Sequence, residues 1–283
     1  MTSQGGLENQ LITYDSSNRQ DSIFHLFRYS WTNRSLLFLL IKKDITLRYR
    51  RSVLGIWWSL LNPILTSTVL FFVFNTVFKS KVEENMPFVP YVFSGVILIT
   101  LFSQAINLGA DSIQANSGIF TKIYVKPELF CFSTIIVTSI NFLVALIPLG
   151  FAAHLSEKNL DFKVLLIFPF LLCYVFFLTG LSLMTSILYI FFEDMRSIIS
   201  ILLMLTIYLT PVFYPITALG VHTRYIVKLN PLTEFLFVFR AIFANIDKAS
   251  FQDYIAVFAS STVVFTIGVV LFRRFWNRAL IRL

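Results

Sequence analysis

The chain has 283 residues, of which 57% are hydrophobic, 17% aromatic and only 13% charged, whereas an ordinary soluble domain carries about 25% charged residues. This composition excludes a soluble globular protein and predicts an all-α integral membrane protein. The formal net charge of +8 does not indicate nucleic-acid binding, because the basic residues adjoin apolar runs, where lipid headgroups and membrane orientation account for them.

The chain begins with a polar segment, residues 1–34, which lacks the pattern of a secretory signal and is expected to be a cytoplasmic tail. A basic, amphipathic helix is predicted next, over residues 35–51. At 100° per residue Lys42, Lys43 and Arg50 fall on one side of this helix, and Leu37, Leu40 and Leu47 fall on the other. Such a helix is expected to lie on the cytoplasmic membrane surface.

Two features near the end of this helix are open to alternative readings. Asp44 and Arg48 have the favoured i, i+4 order for an ion pair, which either supports the helix or meets a cytoplasmic partner. Trp57 and Trp58 start the first apolar run. They are read either as part of an interfacial aromatic belt or as a surface on which sugar rings stack.

A spanning helix needs about 20 mostly apolar residues. Six runs qualify: 54–78, 88–110, 129–153, 164–192, 198–213 and 254–272. With six spans both termini share one side, which holds most of the 23 Lys and Arg residues, so both termini are predicted to be cytoplasmic. On the outer side, the long segment between Tyr214 and Asp253 is expected to form short re-entrant or interfacial helices.

The sequence offers little support for catalysis. Its three histidines are scattered without ligand spacing, and it contains no G-x-x-x-x-G-K-[ST] phosphate loop. Glu193 and Asp194 are adjacent and cannot face each other on a helix, so a capping role at the next helix is expected. Almost no ionisable residue lies in mid-span, which argues against a proton relay. Two possibilities remain for the chain: it is a passive structure, or another subunit supplies its driving force.

Three sequence blocks resemble a known family: residues 43–50 continuing to Gly55 and Asn62-Pro63, residues 192–196 followed by 210–215, and residues 230–233 leading to Arg240. In this order and spacing they are similar to the permease subunits of ABC-2-type polysaccharide exporters, which serve O-antigen, teichoic-acid and capsule export. The likeness runs from about Leu37 to the C-terminus, so residues 35–283 are expected to form one transmembrane domain.

This resemblance implies a transport subunit of the bacterial inner membrane, not an enzyme. It implies no cofactor in this chain, because ATP and Mg²⁺ would be held by two copies of a separate ABC ATPase. A second copy of the chain, membrane lipids and an undecaprenyl-diphosphate-linked polysaccharide are the other implied partners, and no nucleic acid is expected.

The resemblance also implies three groups of site residues. The residues expected to couple to the ATPase are Lys42, Lys43, Asp44, Arg48, Arg50, Thr121, Lys122 and Tyr124. Those expected along the path of the glycan and its lipid are Arg51, Trp57, Trp58, Tyr91 and Phe93. Those expected at the outer gate are Tyr214, Pro215, Asn230, Pro231 and Arg240. No metal ligands are expected.

Two positions depart from the family pattern. Glu193-Asp194 stands where family members often have a basic residue before the acid, and Lys126-Pro127 stands where Phe-Pro is common. Three other functions remain open at this stage: an ABC-2 exporter of a small hydrophobic drug or lipid, a membrane enzyme of lipid-linked sugar metabolism, and a structural membrane partner.

Overall fold

The protein is a helical bundle, seen here in a computed structural model that describes residues 31–50, 52–73, 88–120, 125–155, 162–244 and 249–283. Those residues contain helices and turns and no strand. The helices are α1 Arg34–Tyr49, α2 Trp58–Val73, α3 Phe88–Asp111, α4 Ser117–Phe120, α5 Glu128–Leu155, α6 Ile167–Phe191, α7 Met195–Leu209, α8 Val221–Leu229, α9 Pro231–Ala244 and α10 Phe251–Leu280.

Four of the described helices are long and apolar enough to cross a membrane: Pro90–Asp111, Glu128–His154, Val164–Phe191 and Phe251–Leu280. They overlap the second, third, fourth and sixth predicted runs, and they support a multi-pass membrane protein. The helix in the fifth run, α7, has 15 residues, fewer than the roughly 20 that a straight span needs. The count of six spans therefore stays a prediction.

The closest helix crossing brings α6 and α10 together backbone to backbone. A Cβ atom built on Gly268 would lie 2.3 Å from the carbonyl oxygen of Gly180, and one built on Gly180 would lie 2.5 Å from the carbonyl oxygen of Val264. Only glycine fits at both positions, because neither backbone can yield to a side chain. Small residues of this kind let membrane helices approach closely and gain dispersion energy.

Helix α3 lies against both α5 and α6 and is almost entirely buried. Ser182 of α6 donates a hydrogen bond to the carbonyl oxygen of Ala105 at 3.0 Å, and the Tyr174 hydroxyl donates to that of Leu98 at 3.2 Å. A Cβ on Gly109 would lie 2.4 Å from the Ser182 hydroxyl. Hydroxyls and small residues thus join α3 to α6 without leaving polar atoms unpaired in an apolar interior.

Helix α7 is tied to the end of α3 by one arginine. Arg196 forms an ion pair with Asp111 at 2.8 Å and donates to the side-chain oxygen of Gln114 at 2.9 Å. The predicted capping role of the acids before α7 is not found in this structure: Asp194 occupies the N-cap position, but its helical backbone angles leave its side chain without a capping hydrogen bond. Among the described residues, Arg196 is therefore the polar anchor that attaches α7 to α3.

Candidate functional site

Helix α1, the predicted coupling helix, is docked on α5 by an apolar contact. Leu40 is only 3% exposed and packs with Val125, Leu129 and Phe130 at the start of α5. Burying a leucine side chain stabilises such a contact by about 1.5–3 kcal/mol. One face of α1 is therefore held by protein.

A polar contact fixes the same helix. The Asp44 carboxylate accepts hydrogen bonds from the hydroxyls of Ser133, at 3.1 Å, and Thr134, at 3.5 Å, both on α5. Its neighbour Lys43 lies 3.8 Å from this carboxylate and donates a hydrogen bond to the side-chain oxygen of Asn116. Helix α1, α5 and the turn before α4 are thereby joined.

This geometry differs from the predicted pair of Asp44 with Arg48. Among the described residues Asp44 bonds to α5 and Lys43, and Arg48 forms no ion pair. Lys42 and Arg50 are exposed, as expected for residues that meet a partner, but Leu47 is 57% exposed although the helical wheel assigned it to the apolar side. Contact with α5, which a helical wheel does not contain, decides which face is covered.

Four of the predicted site residues lie outside the described residues: Arg51, Thr121, Lys122 and Tyr124. The described parts of the same loop are the turn Gln114–Asn116, the short helix α4, and Val125 and Lys126, which belong to neither a helix nor a turn. Lys126, which departs from the family pattern, is buried. The predicted roles of Arg51, Thr121, Lys122 and Tyr124 therefore stay predictions.

Gly55 makes the turn that leads from α1 into α2. Its φ of +50° lies in the left-handed region, which favours glycine. Its N–H donates to the hydroxyl of Ser52 at 3.0 Å. The turn leaves Trp57 and Trp58 62% and 51% exposed at the start of α2, so both rings are available to lipid or to a substrate.

Near the start of α3, Arg240 of α9 is completely buried and binds backbone oxygens. Its guanidinium donates to the carbonyl oxygens of Pro211 at 3.0 Å, Tyr91 at 3.1 Å and Val212 at 3.2 Å, and to the hydroxyl of Ser94 at 3.3 Å. We name this arrangement the arginine clamp. It joins α9, the start of α3 and the segment after α7 at one point.

Tyr91 completes the clamp. The guanidinium carbon of Arg240 lies 3.5 Å from the centroid of the Tyr91 ring, a cation–π contact that is strongest when desolvated. Tyr91 and Phe93 are 5% and 4% exposed. The sequence predicted that both rings line the path of the glycan. The structure places them in the interior of the chain, because the clamp and the helix contacts of α3 cover them.

Asn230 connects two of the sequence blocks directly. Its amide nitrogen donates to the hydroxyl of Thr210 at 3.1 Å, and its side-chain oxygen accepts from the backbone N–H of Leu232 at 3.1 Å. Pro231 is the first residue of α9, where a missing N–H costs nothing. The Asn-Pro dipeptide therefore both starts α9 and attaches it to the segment after α7.

Tyr214 and Pro215 belong to the same cluster. The Tyr91 hydroxyl donates to the carbonyl oxygen of Tyr214 at 3.0 Å, and the Tyr214 hydroxyl donates to that of Tyr208 at 2.8 Å. Burial raises the pKa of the Tyr214 hydroxyl. Pro215 precedes a short turn at Ile216–Ala218. All five residues of the predicted outer gate thus lie in or beside this cluster.

One carboxylate of α9 is also affected by its surroundings. Burial raises the pKa of Glu234, Asp253 raises it further, and Lys228 opposes both effects. Because the folded state binds this proton more tightly than the unfolded state, the contribution of Glu234 to stability is present at low pH and decreases as the pH rises through the folded-state pKa.

Sequence reasoning missed the residues that receive these anchors. Ser133 and Thr134 hold Asp44, and Ser94 and Gly95 lie beneath Arg240. A Cβ on Gly95 would lie 2.8 Å from a methyl group of Val212, so the clamp needs a glycine there. The sequence did contain a signal for these residues: each apolar run has a pair of small or hydroxyl residues, and such pairs mark close helix contacts.

Comparison with known proteins agrees with this architecture. A family model described as ABC-2 type transporter matches residues 35–244, well over half of the chain. The chain belongs to the ABC-2 type transporter family. It is therefore a multi-pass membrane component of a transporter, not an enzyme, and its family implies an ABC ATPase as partner.

Several proteins resemble this ABC-2 chain over most of its length. It is 26% identical over 245 residues to the O-antigen export system permease protein RfbA of Myxococcus xanthus, covering 86% of this chain and 93% of that protein. A protein of the same name from Klebsiella pneumoniae is 24% identical over 84% of this chain and 91% of its own. The polysialic acid transport protein KpsM of Escherichia coli is 23% identical over 83% and 91%.

Proposed function

We propose that this chain is the permease subunit of an exporter that moves a lipid-linked polysaccharide, O-antigen-like or teichoic-acid-like, out of the cytoplasm. The observation that carries the proposal is the similarity over at least 83% of the chain to permeases that are named for glycan export. The membrane would be the bacterial inner membrane. Two copies of the chain would enclose the path, and an undecaprenyl diphosphate would be the lipid carrier.

The distribution of charge supports an orientation with both termini in the cytoplasm. The end of the bundle that carries α1 also carries Arg196 and the basic C-terminal part of α10, including Arg273, Arg274 and Arg278. Excess Lys and Arg mark the cytoplasmic side of a membrane protein. In this orientation the arginine clamp lies toward the outer surface.

Helix α1 is suited to pass on a force from an ATPase partner. Its exposed residues Lys42, Thr46 and Arg50 face away from the bundle, whereas Leu40 and Asp44 attach the helix to α5. A partner that binds the exposed side and closes on ATP would therefore move α5 together with α1. ATP and Mg²⁺ would bind to two ATPase subunits, and this chain would contribute no nucleotide ligand.

The test is ATP-dependent appearance of lipid-linked glycan on the far side of reconstituted vesicles. The vesicles contain this chain with its ATPase partner, and the matched control carries an ATPase whose catalytic glutamate is replaced by glutamine. We expect glycan outside only with the active ATPase. An intact complex that hydrolyses ATP but exports no glycan, and instead exports a small amphiphile or a lipid, would overturn the proposal in favour of a drug or lipid exporter.

A further inference from the structure

A cleft opens between α2, α3 and α5, apart from the clamp and beside the last residue of α1, Tyr49. It encloses about 50 Å³ and has about 400 Å³ of empty space when its open side is included. Its lining is part apolar and part uncharged polar: Trp58, Asn62, Ile97, Thr100, Leu101, Gln104, Thr138, Asn141, Phe142 and Ala145.

Two of the cleft's amides, Gln104 and Asn141, lie well away from the ends of their helices. Gln104 is seven residues from the end of α3 at Asp111, or about 10 Å at the helical rise per residue. Asn141 is thirteen residues from the start of α5 at Glu128, or about 20 Å by the same rise. Amides at this depth in a membrane protein are costly unless they have hydrogen-bond partners.

These amides retain unused hydrogen-bonding capacity. Within the described residues the Gln104 amide makes no hydrogen bond, so its oxygen and its two N–H groups are all available. The Asn141 oxygen accepts from the Tyr49 hydroxyl at 3.1 Å, and its N–H groups have no partner in the same set of residues. Unpaired amides that face a cleft beside an exposed tryptophan can pair with a polar molecule that enters it.

The dimensions and chemistry restrict what the occupant is. The enclosed part has room for three or four waters, at roughly 10–15 Å³ each, and is far smaller than a drug-sized pocket of about 300–1,000 Å³. It therefore admits the edge of a larger molecule. None of the ten lining residues is charged, so an ionic group such as a diphosphate would find no counter-charge among them.

We propose that this cleft binds one neutral sugar residue of the polysaccharide during its passage, an inference that rests on the proposed function. A sugar ring has hydroxyls that both donate and accept, which match Gln104, Asn62 and Thr100. It also has an apolar C–H face, which matches Trp58 and Phe142. Its hydroxyls would pair with the amides that are otherwise left unpaired.

Tyr49 connects the cleft to the coupling helix. It is the last residue of α1, and its hydroxyl holds the Asn141 side chain on the cleft wall. A displacement of α1 would therefore reposition one of the cleft's amides. The same movement that is proposed to transmit ATP-driven closure would change the affinity of the cleft for sugar.

The test uses the full complex in vesicles, with undecaprenyl-diphosphate-linked glycan from the source cells as the probe. Gln104→Leu removes the amide at nearly constant size, and Gln252→Leu, at the exposed start of α10, is the matched control. We expect Gln104→Leu to raise the half-saturating glycan concentration about five-fold, the effect of one lost hydrogen bond, and Asn62→Leu with Gln104→Leu about 25-fold, as two lost bonds would. The control should remain unchanged.

A direct readout accompanies the export assay. Glycan carrying photoreactive diazirine sugars is crosslinked to the complex stalled without ATP, and the labelled peptides are mapped by mass spectrometry. Label within residues 97–104 or 138–145 supports the cleft, and label only elsewhere overturns it. Leucine is well tolerated inside membrane helices, and the basal ATPase rate and complex yield report whether each variant assembles.

The possible failures are distinguishable. If the wild-type complex exports glycan and both leucine variants stay within two-fold of it, the cleft proposal alone is overturned. If the wild-type complex exports no glycan while it hydrolyses ATP, the proposed function is overturned and the cleft proposal with it.

Discussion

Replacing Arg240 tests whether the arginine clamp holds together the end of the bundle where α3 starts. Arg240→Leu keeps much of the apolar volume but removes every donor. The Val212 carbonyl oxygen then loses the guanidinium, and the Pro211 oxygen keeps only a long contact to the Tyr91 hydroxyl at 3.4 Å. Ser94 and Tyr91 still share their own hydrogen bond at 2.8 Å.

The magnitude follows from these losses. Two buried carbonyl groups left without good donors cost about 1–3 kcal/mol each, and the lost cation–π contact costs about 2 kcal/mol. Removing the buried charge returns part of its desolvation cost. A net loss of about 3–5 kcal/mol results, which corresponds to a Tm lower by about 10 °C for a protein of this size.

The assay is thermal unfolding of the purified chain in detergent micelles, followed by the reaction of a thiol dye. Cys131 is completely buried, so it reacts when the bundle opens. Arg240→Lys keeps a charge but has no planar fork, and about half of the Tm loss is expected. Arg224→Leu, whose guanidinium donates only to its own loop at Thr217 and Leu219, is the matched control. If Arg240→Leu lowers the Tm by less than about 2 °C, the clamp does not stabilise that end of the bundle.

Three further predictions concern other contacts. Gly268→Ala places a methyl group against an unyielding backbone and should cost about 3 kcal/mol or more, whereas Gly220→Ala, with open space around it, should leave the dye-detected Tm unchanged. Asp44→Leu should lower glycan export at least about five-fold with the basal ATPase rate retained, and equal export would show that α1 transmits force by another route. A double-mutant cycle of Arg196→Ala with Asp111→Ala should give a coupling free energy below about 1 kcal/mol, because the ion pair is half exposed. A larger coupling would show that the pair is shielded from solvent.

Apolar runs and turn residues predicted most of the architecture. The long spans follow from hydropathy alone, because an uninterrupted apolar run has few structures available to it in a membrane. Tyr91 shows the limit of this reasoning: the sequence gives its residue type, but whether its ring faces a conduit or a guanidinium depends on a partner 149 positions away.

The candidate site was predicted less completely for the same reason. The helical wheel identified a basic face on α1, but the partners of Asp44 lie on α5, about 90 residues later in the chain. Apart from Trp58, the cleft was not predicted. Its amides come from three helices, and each stands among apolar and small hydroxyl residues, which carry no periodic signal when read one helix at a time.

The connectivity of the arginine clamp has a consequence for biosynthesis. A charged arginine at the centre of a bilayer costs about 2.5–3.5 kcal/mol on its own, and Arg240, which lies toward one end of the bundle, bears a smaller cost of the same kind. The four groups to which Arg240 donates among the described residues, on Tyr91, Ser94, Pro211 and Val212, all precede it in the chain. Because the ribosome makes the chain from its N-terminus, these acceptors are already in the membrane when Arg240 emerges. The order of synthesis thus delivers the arginine to a site already present to receive it.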